Sequence, residues 1–255
     1  MSRRLNGKVA IVTGAAAGIG EAIALLAAEE GGRVVVADVD ERGGEETVAA
    51  IQSAGGEAIF VRTDVSREEE VAAMTAAAVR AFGGVDVLVN NAAVFVLKGV
   101  EASPDDWQRL LSVNVVGTAL CTRYAAEEMK KRGGGAIVNL SSISGFVAQP
   151  HFVTYSATKA AILQMTRNTA LDLAPFNIRV NAVCPGTILT QASYKHMERV
   201  GQSFEEWNAE QSASQLLGRV GQPREVAYPV VFLASDEASF ITGTHLMVDG
   251  GYVAV

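Results

Sequence analysis

Three polar residues in the second half of the chain have types and spacing suited to proton transfer. Tyr155 and Lys159 are four residues apart in a stretch with helical periodicity, so their side chains project from one face, one turn apart. Tyrosine is a weak base at its reference pKa of about 10, and a nearby ammonium lowers that pKa by stabilising the phenolate. Ser142 ends a predicted strand and can donate a hydrogen bond to a substrate oxygen. Taken singly, the three could equally be a surface lysine, a buried tyrosine with a satisfied hydroxyl and a strand-end serine.

A second group of residues near the start of the chain has the composition of a phosphate-binding turn. A predicted strand at 9–13 runs into the sequence TGAAAGIG at 13–20, which opens a predicted helix. Residues without a Cβ are required here for three reasons: a tight turn, a close approach of the backbone to pyrophosphate, and close packing of helix on strand. The N-terminus of the helix also offers backbone amides to phosphate. This context favours dinucleotide binding over a structural turn. Gly14, Gly18, Ile19 and Gly20 are therefore candidate cofactor-binding residues.

Acidic residues follow the second and third predicted strands. Asp38 lies 18 residues beyond the last glycine of the turn, where a carboxylate accepts hydrogen bonds from the adenosine ribose and repels a 2′-phosphate. The alanines of the turn offer that phosphate no basic partner, so NAD is predicted as the cofactor over NADP. Asp38 could instead cap a turn, and Asp40 and Glu41 nearby could take either the ribose role or the capping role. Asp64 and Val65 are expected on the adenine side of the cofactor site. Asp64 could accept a hydrogen bond from the adenine amino group, or it could equally be the N-cap of the helix that follows.

Short β-branched runs alternate with longer alanine-rich stretches, and this alternation predicts the elements that position these groups. It is typical of a parallel sheet with crossover helices, and continuous apolar strands fit a sheet covered on both faces. The predicted class is α/β, a doubly wound, Rossmann-type, seven-stranded parallel sheet, with residues 1–255 as a single domain because no Pro- or Ser-rich linker interrupts the series. Strands are predicted at 9–13, 33–38, 58–62, 85–90, 136–141, 178–183 and 245–248, and helices at 18–30, 41–54, 68–82, 104–131, 155–174 and 224–235.

One stretch, residues 191–217, breaks this alternation. It is too long for a plain connection and contains Tyr194, Met197, Phe204 and Trp207. These features indicate one or two helices that form a substrate-binding lid. A peripheral helical insertion without a catalytic role is the alternative.

Composition and charge exclude several classes of protein. The chain is 49% hydrophobic and 19% charged, as expected of a packed protein, and its net charge of −7 argues against a nucleic-acid partner. The basic run at 130–132 ends a predicted helix, where cations complement exposed carbonyls. Cys121 and Cys184 show neither metal-ligand nor redox spacing, so no metal site is expected. Without a long apolar run or a secretory leader, we expect no membrane partner and a cytoplasmic location.

Independent segments over nearly the whole chain, from Lys8 to about Tyr252, resemble the short-chain dehydrogenase/reductase family in its short single-domain branch. One position departs from the family pattern, since Ala93 stands where the family commonly has glycine, and we expect no loss of function from it. The matching motifs are the turn at 13–20, Asn90-Asn91-Ala92-Ala93, Asn114, Ser142 thirteen residues before Tyr155, the run YSATK at 155–159, and residues 181–186.

The resemblance implies roles for four catalytic residues. Tyr155 would exchange a proton with the substrate oxygen, and Ser142 would orient and stabilise that oxygen. Lys159 would bind the nicotinamide ribose while lowering the tyrosine pKa. Asn114, in a kinked helix, would hold a water that links Lys159 to solvent. Without the family, a mid-helix asparagine satisfied by local hydrogen bonds would be the better interpretation of Asn114.

The resemblance also implies cofactor contacts and an assembly. Asn90 would line the cofactor site, while Ile188 and Thr190 would hold the carboxamide and the diphosphate. The family tends to form tetramers through two helix pairs and the C-terminal segment, here residues 248–252, so a homotetramer is expected.

Around the reacting centre we expect a mixed lining that is neither wholly apolar nor strongly charged. Gln149 and His151 could hydrogen-bond a substrate hydroxyl or could simply satisfy loop backbone. The expected lining residues are Val94, Val96, Ser144, Gln149, His151, Phe152 and the lid.

Three functions remain open on this sequence. The leading one is an NAD-dependent oxidoreductase that transfers a hydride between a secondary alcohol, or its ketone, and NAD(H), with a hydroxylated ring, sugar or polyol as substrate. The second is an NADPH-type 3-oxoacyl-thioester reductase, disfavoured by Asp38 and the net charge but kept open by Arg123 and the basic run at 130–132. The third is a non-catalytic dinucleotide-sensing protein, which would need no proton relay.

Overall fold

The computed structural model of the chain describes residues 3–254 and contains one seven-stranded sheet in which every neighbouring pair is parallel. The strand order is β3-β2-β1-β4-β5-β6-β7, so the chain moves outward from β1 to one edge and then returns to build the other half. Ligands of such sheets bind at the carboxyl ends of the strands where the order reverses, here between β1 and β4. The strands are β1 Val9–Thr13, β2 Arg33–Asp38, β3 Glu57–Arg62, β4 Val87–Asn90, β5 Gly135–Leu140, β6 Ile178–Pro185 and β7 His245–Val248.

Helices cover both faces of the sheet and bury two separate apolar cores. Along β1, Ala10 and Val12 enter the core under α1, α2 and α9, while Val9 and Ile11 enter the core under α3, α5 and α6. This alternation follows from the two-residue period of a strand and confirms the doubly wound sheet predicted from the sequence. The helices are α1 Gly18–Glu29, α2 Glu41–Ser53, α3 Glu68–Phe82, α4 Pro104–Leu110, α5 Thr118–Lys131, α6 Val153–Leu173, α7 Gln191–Val200, α8 Phe204–Ala213 and α9 Pro223–Ala234.

The helix predicted at 104–131 is interrupted, because residues Leu111–Gly117 form a π-helix between α4 and α5. Inside it, Asn114 turns its side chain inward to bond the backbone of Val94. At its end, Gly117 passes so close to the loop after β3 that an added Cβ would lie 2.7 Å from Cγ2 of Val65. These contacts with distant segments, which the helical periodicity does not reveal, accompany the change of winding.

The stretch 191–217 contains the two helices α7 and α8, as predicted. They close over a small apolar cluster of their own, formed by Met197, Trp207 and Val220 with Leu189 packed against it. This cluster is separate from the two cores that hold the sheet, so the pair of helices depends little on the main packing.

No helix in residues 3–254 is both long enough and apolar enough to cross a membrane. Within the same residues, no group of three or more His, Cys, Asp or Glu side chains is placed to bind a metal ion.

Candidate active site

The glycine turn after β1 fits a dinucleotide phosphate. Gly14 has φ +65° and Gly18 has φ +62°, a backbone conformation that L side chains rarely adopt. Gly20 packs so tightly onto the turn that an added Cβ would lie 2.0 Å from the carbonyl oxygen of Gly14. The turn therefore leads into the N-terminus of α1 without side chains that would keep a phosphate from the backbone amides.

The residue after β4 braces this turn, a role that sequence reasoning did not assign. Asn91 Nδ2 donates to the carbonyl oxygens of Thr13 and Gly14 over 3.0 and 2.9 Å. In return, the Thr13 hydroxyl accepts from the backbone N–H groups of Asn91 and Ala92. The adjacent pair of asparagines was the available signal, but which of the two faces the turn depends on how β4 pairs with β1.

Asn90 points into a different set of contacts. Its Nδ2 donates to Oγ1 of Thr122 and to Oδ1 of Asn139, whose own Nδ2 donates to Oγ1 of Thr166. The side chain therefore ties β4 to β5 and α5. The role of lining the cofactor site, expected for Asn90, stays a prediction.

The carboxylate at the end of β2 is held against the glycine turn. Asp38 Oδ2 accepts from the backbone N–H of Ala16 over 3.0 Å, and Oδ1 accepts from the backbone N–H of Asp40. Asp40, and not Asp38, is the N-cap of α2, where its side chain accepts from the N–H of Gly43. Asp38 therefore lies at the edge of the glycine turn and also closes a turn through the N–H of Asp40, which is the alternative role considered for it, while Asp40 takes the helix cap. The ribose contact expected of Asp38 stays a prediction.

Asp64 and Val65 follow β3 at the same edge of the sheet. Asp64 Oδ1 accepts from the backbone N–H and the hydroxyl of Ser66, so it closes a turn ahead of α3. The N-cap of α3 is Arg67, so the alternative in which Asp64 caps that helix is wrong. Val65 is buried against Gly117, and the adenine contacts expected of this pair stay predictions.

The proton-transfer residues predicted from the sequence meet between β5 and α6. Tyr155 and Lys159 are 7% and 4% exposed, and Lys159 Nζ lies 5.5 Å from the centroid of the tyrosine ring. Lys159 Nζ donates to the carbonyl oxygen of Leu140 over 2.8 Å, and burial lowers the pKa of this amine to about 8. An ammonium held by one backbone carbonyl retains donors that suit ribose hydroxyls.

The pKa of Tyr155 departs from the sequence expectation. Burial raises it, and a hydrogen bond with Ser142 lowers it by a smaller amount. The four-residue spacing predicts that Lys159 lowers the pKa of Tyr155. In the folded chain, the removal of the phenol from water raises this pKa and is the largest effect on it. Ser142, 9% exposed, is thus the neighbour that favours the phenolate.

Asn114 joins the loop after β4 to α6. Its Oδ1 accepts from the N–H of Val94 over 2.9 Å, and its Nδ2 donates to the carbonyl of Val94 and to Oγ1 of Thr158. Thr158 directly precedes Lys159, so Asn114 sets the distance between the loop and the helix that carries the proton-transfer residues. The water-holding role implied by the family resemblance stays a prediction.

Aromatic rings flank the tyrosine. Phe95 stacks on Tyr155 with centroids 5.0 Å apart, and Phe152 meets it edge-on at 6.0 Å. Phe95 is 59% exposed, so this ring offers an apolar face beside the proton-transfer groups. Sequence reasoning placed Phe152 in the lining and missed Phe95.

Residues after β6 connect the turn to the two helices of 191–217. Ile188 is buried and pairs with Gly221 in an isolated parallel bridge. Thr190 begins α7, and its Cγ2 lies 3.4 Å from the position of a Cβ on Gly18. The first turn of α7 therefore adjoins the predicted phosphate site at Thr190. The carboxamide and diphosphate contacts expected of Ile188 and Thr190 stay predictions.

Comparison with known proteins finds full-length similarities. A family model described as enoyl-(acyl carrier protein) reductase matches residues 14–253. The cis-4-hydroxycyclohexanecarboxylate dehydrogenase of Sinomonas cyclohexanicum is 44% identical over 250 residues, covering 97% of this chain and 97% of that protein. The cyclopentanol dehydrogenase of Comamonas sp. is 42% identical, covering 98% and 99%. A structure of 7α-hydroxysteroid dehydrogenase complexed with NADH and 7-oxo glycochenodeoxycholic acid has a TM-score of 0.91 at 36% identity, covering 98% of this chain and 96% of that one.

Proposed function

The chain belongs to the short-chain dehydrogenase/reductase family, and from this premise we propose that it is an NAD-dependent dehydrogenase of secondary alcohols carried on saturated rings. The observation that carries the proposal is the buried phenol of Tyr155, which lies 5.5 Å from the Lys159 amine, measured to the ring centroid, and is flanked by two aromatic rings. A polar oxygen-binding centre inside an apolar wall suits a molecule with one hydroxyl on a hydrocarbon ring.

Bound NAD, held by the glycine turn, Asp38 and Lys159, would supply the acceptor for the hydride that leaves the carbinol carbon. Tyr155, as phenolate, takes the hydroxyl proton of the substrate, so that the alcohol becomes a ketone and the phenol is regenerated. Ser142 donates a hydrogen bond to the substrate oxygen as negative charge develops on it. Lys159 supplies a positive charge near the phenolate and holds the nicotinamide ribose. Asn114 keeps the loop after β4 at the right distance from α6.

A carboxylate and the lack of a basic side chain in the glycine turn favour NAD over NADP. The Asp38 carboxylate, held by the N–H of Ala16, would accept from the ribose hydroxyls and repel a 2′-phosphate. The turn presents Ala16 and Ala17 in place of a basic side chain. The 2′-phosphate of NADP would therefore face the negative charge of Asp38, and no basic side chain of the turn would pair with it.

The ring-alcohol part of the proposal is supported by the walls of the site and by the relatives. Phe95 and Phe152 offer hydrocarbon-compatible faces, whereas a sugar or polyol needs several polar partners to replace its hydration. The two similar proteins named above act, by their names, on cyclopentanol and on a hydroxylated cyclohexane.

The acyl-carrier alternative is disfavoured by the pairing of the basic residues. Such a reductase needs unpaired cations to dock an acidic carrier. Lys130 and Lys131 pair with Glu127 and Glu128 on the same helix, and Arg132 pairs with Asp86. Arg123 likewise pairs with Glu68.

A substrate screen tests the proposal. The purified enzyme is given NAD or NADP with cyclopentanol, cyclohexanol, a hydroxysteroid, an acyclic secondary alcohol and a polyol, and NADH absorbance is followed. We expect the highest kcat/KM with a ring alcohol and NAD, and a kcat for Tyr155→Phe that is lower by about 10²- to 10⁴-fold. NADH binding without turnover of any alcohol or ketone would instead support the sensor, and preferred reduction of a 3-oxoacyl thioester with NADPH would support the carrier-dependent reductase.

A further inference from the structure

A chain of hydrogen bonds leads from Ser142 into the loop that precedes α6. The Ser142 hydroxyl donates to Oγ of Ser144 over 3.2 Å, and the backbone N–H of Ser144 donates to Ser142 Oγ over 3.1 Å. The Ser144 hydroxyl in turn donates to Oε1 of Gln149 over 2.6 Å. Ser144 is 4% exposed and Gln149 is partly buried, so the chain ends on a protein amide rather than in open solvent.

The backbone holds these groups against α6. Ser142 caps the short 3-10 turn Ile143–Gly145, and a Cβ on Gly145 would lie 3.2 Å from the backbone nitrogen of Ala160 and the carbonyl carbon of Lys159. The carbonyl of Gln149 accepts from the N–H of Phe152, at the start of α6. Both ends of the hydrogen-bonded chain are therefore attached to the helix that carries Tyr155.

The chain has a direction, because each serine hydroxyl has one proton to donate. With the amide oxygen of Gln149 toward Ser144, both serine protons are directed toward Gln149, and the Ser142 hydroxyl must give up its bond to Ser144 before it can donate to a substrate oxygen. If the amide turns by half a rotation, its NH2 donates to Ser144, Ser144 donates to Ser142, and the Ser142 proton is released to the substrate. Only the second direction stabilises the negative charge that develops on the substrate oxygen.

We propose that Gln149 is a positioning residue that acts through Ser144 to set the direction of the Ser142 hydroxyl. A primary amide suits this role because it presents an acceptor and a donor from one position and exchanges them by rotating about its terminal torsion. The inference rests on the proposed function, since it requires Ser142 to donate to the substrate oxygen.

The first test replaces the amide with an acceptor. In Gln149→Glu the carboxylate only accepts, so it holds both serine protons away from the substrate. We expect kcat with a ring alcohol to fall by about 10- to 100-fold above neutral pH, somewhat less than the loss of a whole oxyanion donor. NADH affinity, measured by fluorescence titration, should stay unchanged. The matched control is Gln164→Glu, the same substitution on the exposed face of α6, which should leave both quantities unchanged.

A double variant separates the hydrogen-bonded chain from the added charge. Adding Ser144→Ala to Gln149→Glu cuts the chain while the carboxylate remains. If Gln149 acts through Ser144, the double variant recovers to the activity of Ser144→Ala alone. If the carboxylate acts by charge through space, the double variant is at least as impaired as Gln149→Glu.

The pH profile supplies a readout that a structural role would not move. Protonation of the introduced carboxyl restores a donor, so the ratio of wild-type to Gln149→Glu activity should fall toward one as pH decreases. The other groups that titrate or carry charge around this loop are present in both enzymes, and the double variant, which keeps the carboxylate, measures how far its charge affects them. They are His151 on the loop, Lys98 and Glu101 opposite it, and Tyr155 and Lys159 on α6.

The outcomes distinguish this inference from the proposed function. A Gln149→Glu enzyme that matches Gln164→Glu, a ratio independent of pH, or a double variant without recovery overturns the role of Gln149. In each case the proposed function stands if Ser142→Ala and Tyr155→Phe remain inactive. A wild-type enzyme that oxidises no alcohol overturns both.

Discussion

At Tyr155, burial and hydrogen bonding act on the pKa in opposite directions. Burial raises the pKa of the phenol, the Ser142 hydroxyl lowers it, and the Lys159 amine, with its own pKa lowered to about 8 by burial, adds positive charge only below that pH. A phenol with a raised pKa is well suited to return a proton to a ketone. For alcohol oxidation, the same phenol depends on its neighbours to become a base.

The proton-transfer role predicts different consequences for the two residues on α6. Tyr155→Phe should reduce kcat by about 10²- to 10⁴-fold, the usual contribution of a general acid or base, with NADH affinity nearly unchanged. Lys159→Met should lose turnover and also bind NADH more weakly, because the amine is expected to contact the ribose. Steady-state kinetics and fluorescence titration measure both. A folded Tyr155→Phe enzyme with more than half of the wild-type kcat, or a Lys159→Met enzyme with normal NADH affinity, would contradict these assignments.

The carboxylate at the end of β2 predicts the cofactor preference. Wild type should favour NAD over NADP in kcat/KM, and Asp38→Ser should narrow the preference mainly by raising the NADP value, because it removes a like charge beside the 2′-phosphate. Adding Arg in place of Ala16 should raise NADP efficiency further by pairing that phosphate. The control is Asp40→Ser, which keeps a capping side chain on α2 and should leave the preference unaltered. Equal use of NAD and NADP by wild type would refute the role of Asp38.

The helix pair α7 and α8 has the properties of a segment that opens independently. Its own cluster around Met197 and Trp207 is separate from the sheet cores, while Thr190 at its start adjoins the glycine turn. Segments that close over ligands come from the less stable parts of a fold. The lid predicted from the sequence is therefore compatible with the structure, and its closure stays a prediction.

Limited proteolysis checks that closure. NAD with a ketone or alcohol analogue should slow cleavage within 191–217, while cleavage at sites elsewhere serves as the internal control. Trp207→Ala removes a buried side chain, only 5% exposed, from this cluster. It should therefore speed cleavage within 191–217 in the absence of ligand. Equal cleavage rates with and without ligands would favour a peripheral insertion.

For the molecule as a whole, the buried Lys159 predicts a pH-dependent stability. Its pKa is lowered to about 8 in the folded chain from an ordinary value of 10.5, so above pH 8 the unfolded chain binds more protons than the folded one. The free energy of unfolding should therefore rise with pH from about 8, by up to about 1.4 kcal/mol per pH unit. Above about pH 9 the buried thiols oppose this rise, because burial raises the pKa of Cys184 to about 11 and of Cys121 to about 12.

Denaturant unfolding at closely spaced pH values between 8 and 9 measures the effect. Lys159→Met should lose the rise, whereas Lys195→Met, which removes an exposed lysine on α7, should keep it. The same slope in wild type and Lys159→Met would show that burial does not lower the pKa of the Lys159 amine.

The homotetramer expected from the family resemblance stays a prediction, which sedimentation velocity would check.

Features that depend on neighbours in the chain were predictable from the amino-acid order. The alternation of short β-branched runs with longer alanine-rich stretches placed all seven strands, and the glycines after β1 indicated a phosphate turn because strand, turn and helix are consecutive. Tyr155 and Lys159 share a helix face through their four-residue spacing alone. Asp38 could be placed because it ends a strand adjacent to β1.

Features that join distant segments required the fold. The π-helix at Asn114 accompanies bonds to Val94 and Thr158, the brace from Asn91 depends on the pairing of β4 with β1, and the chain from Ser142 to Gln149 depends on how a short turn packs on α6. The sign of the Tyr155 pKa shift belongs here too. A spacing along a helix places a charge near a phenol, but burial is set by every segment that packs around it, and at Tyr155 the effect of desolvation on the pKa exceeds the opposing effect of Ser142.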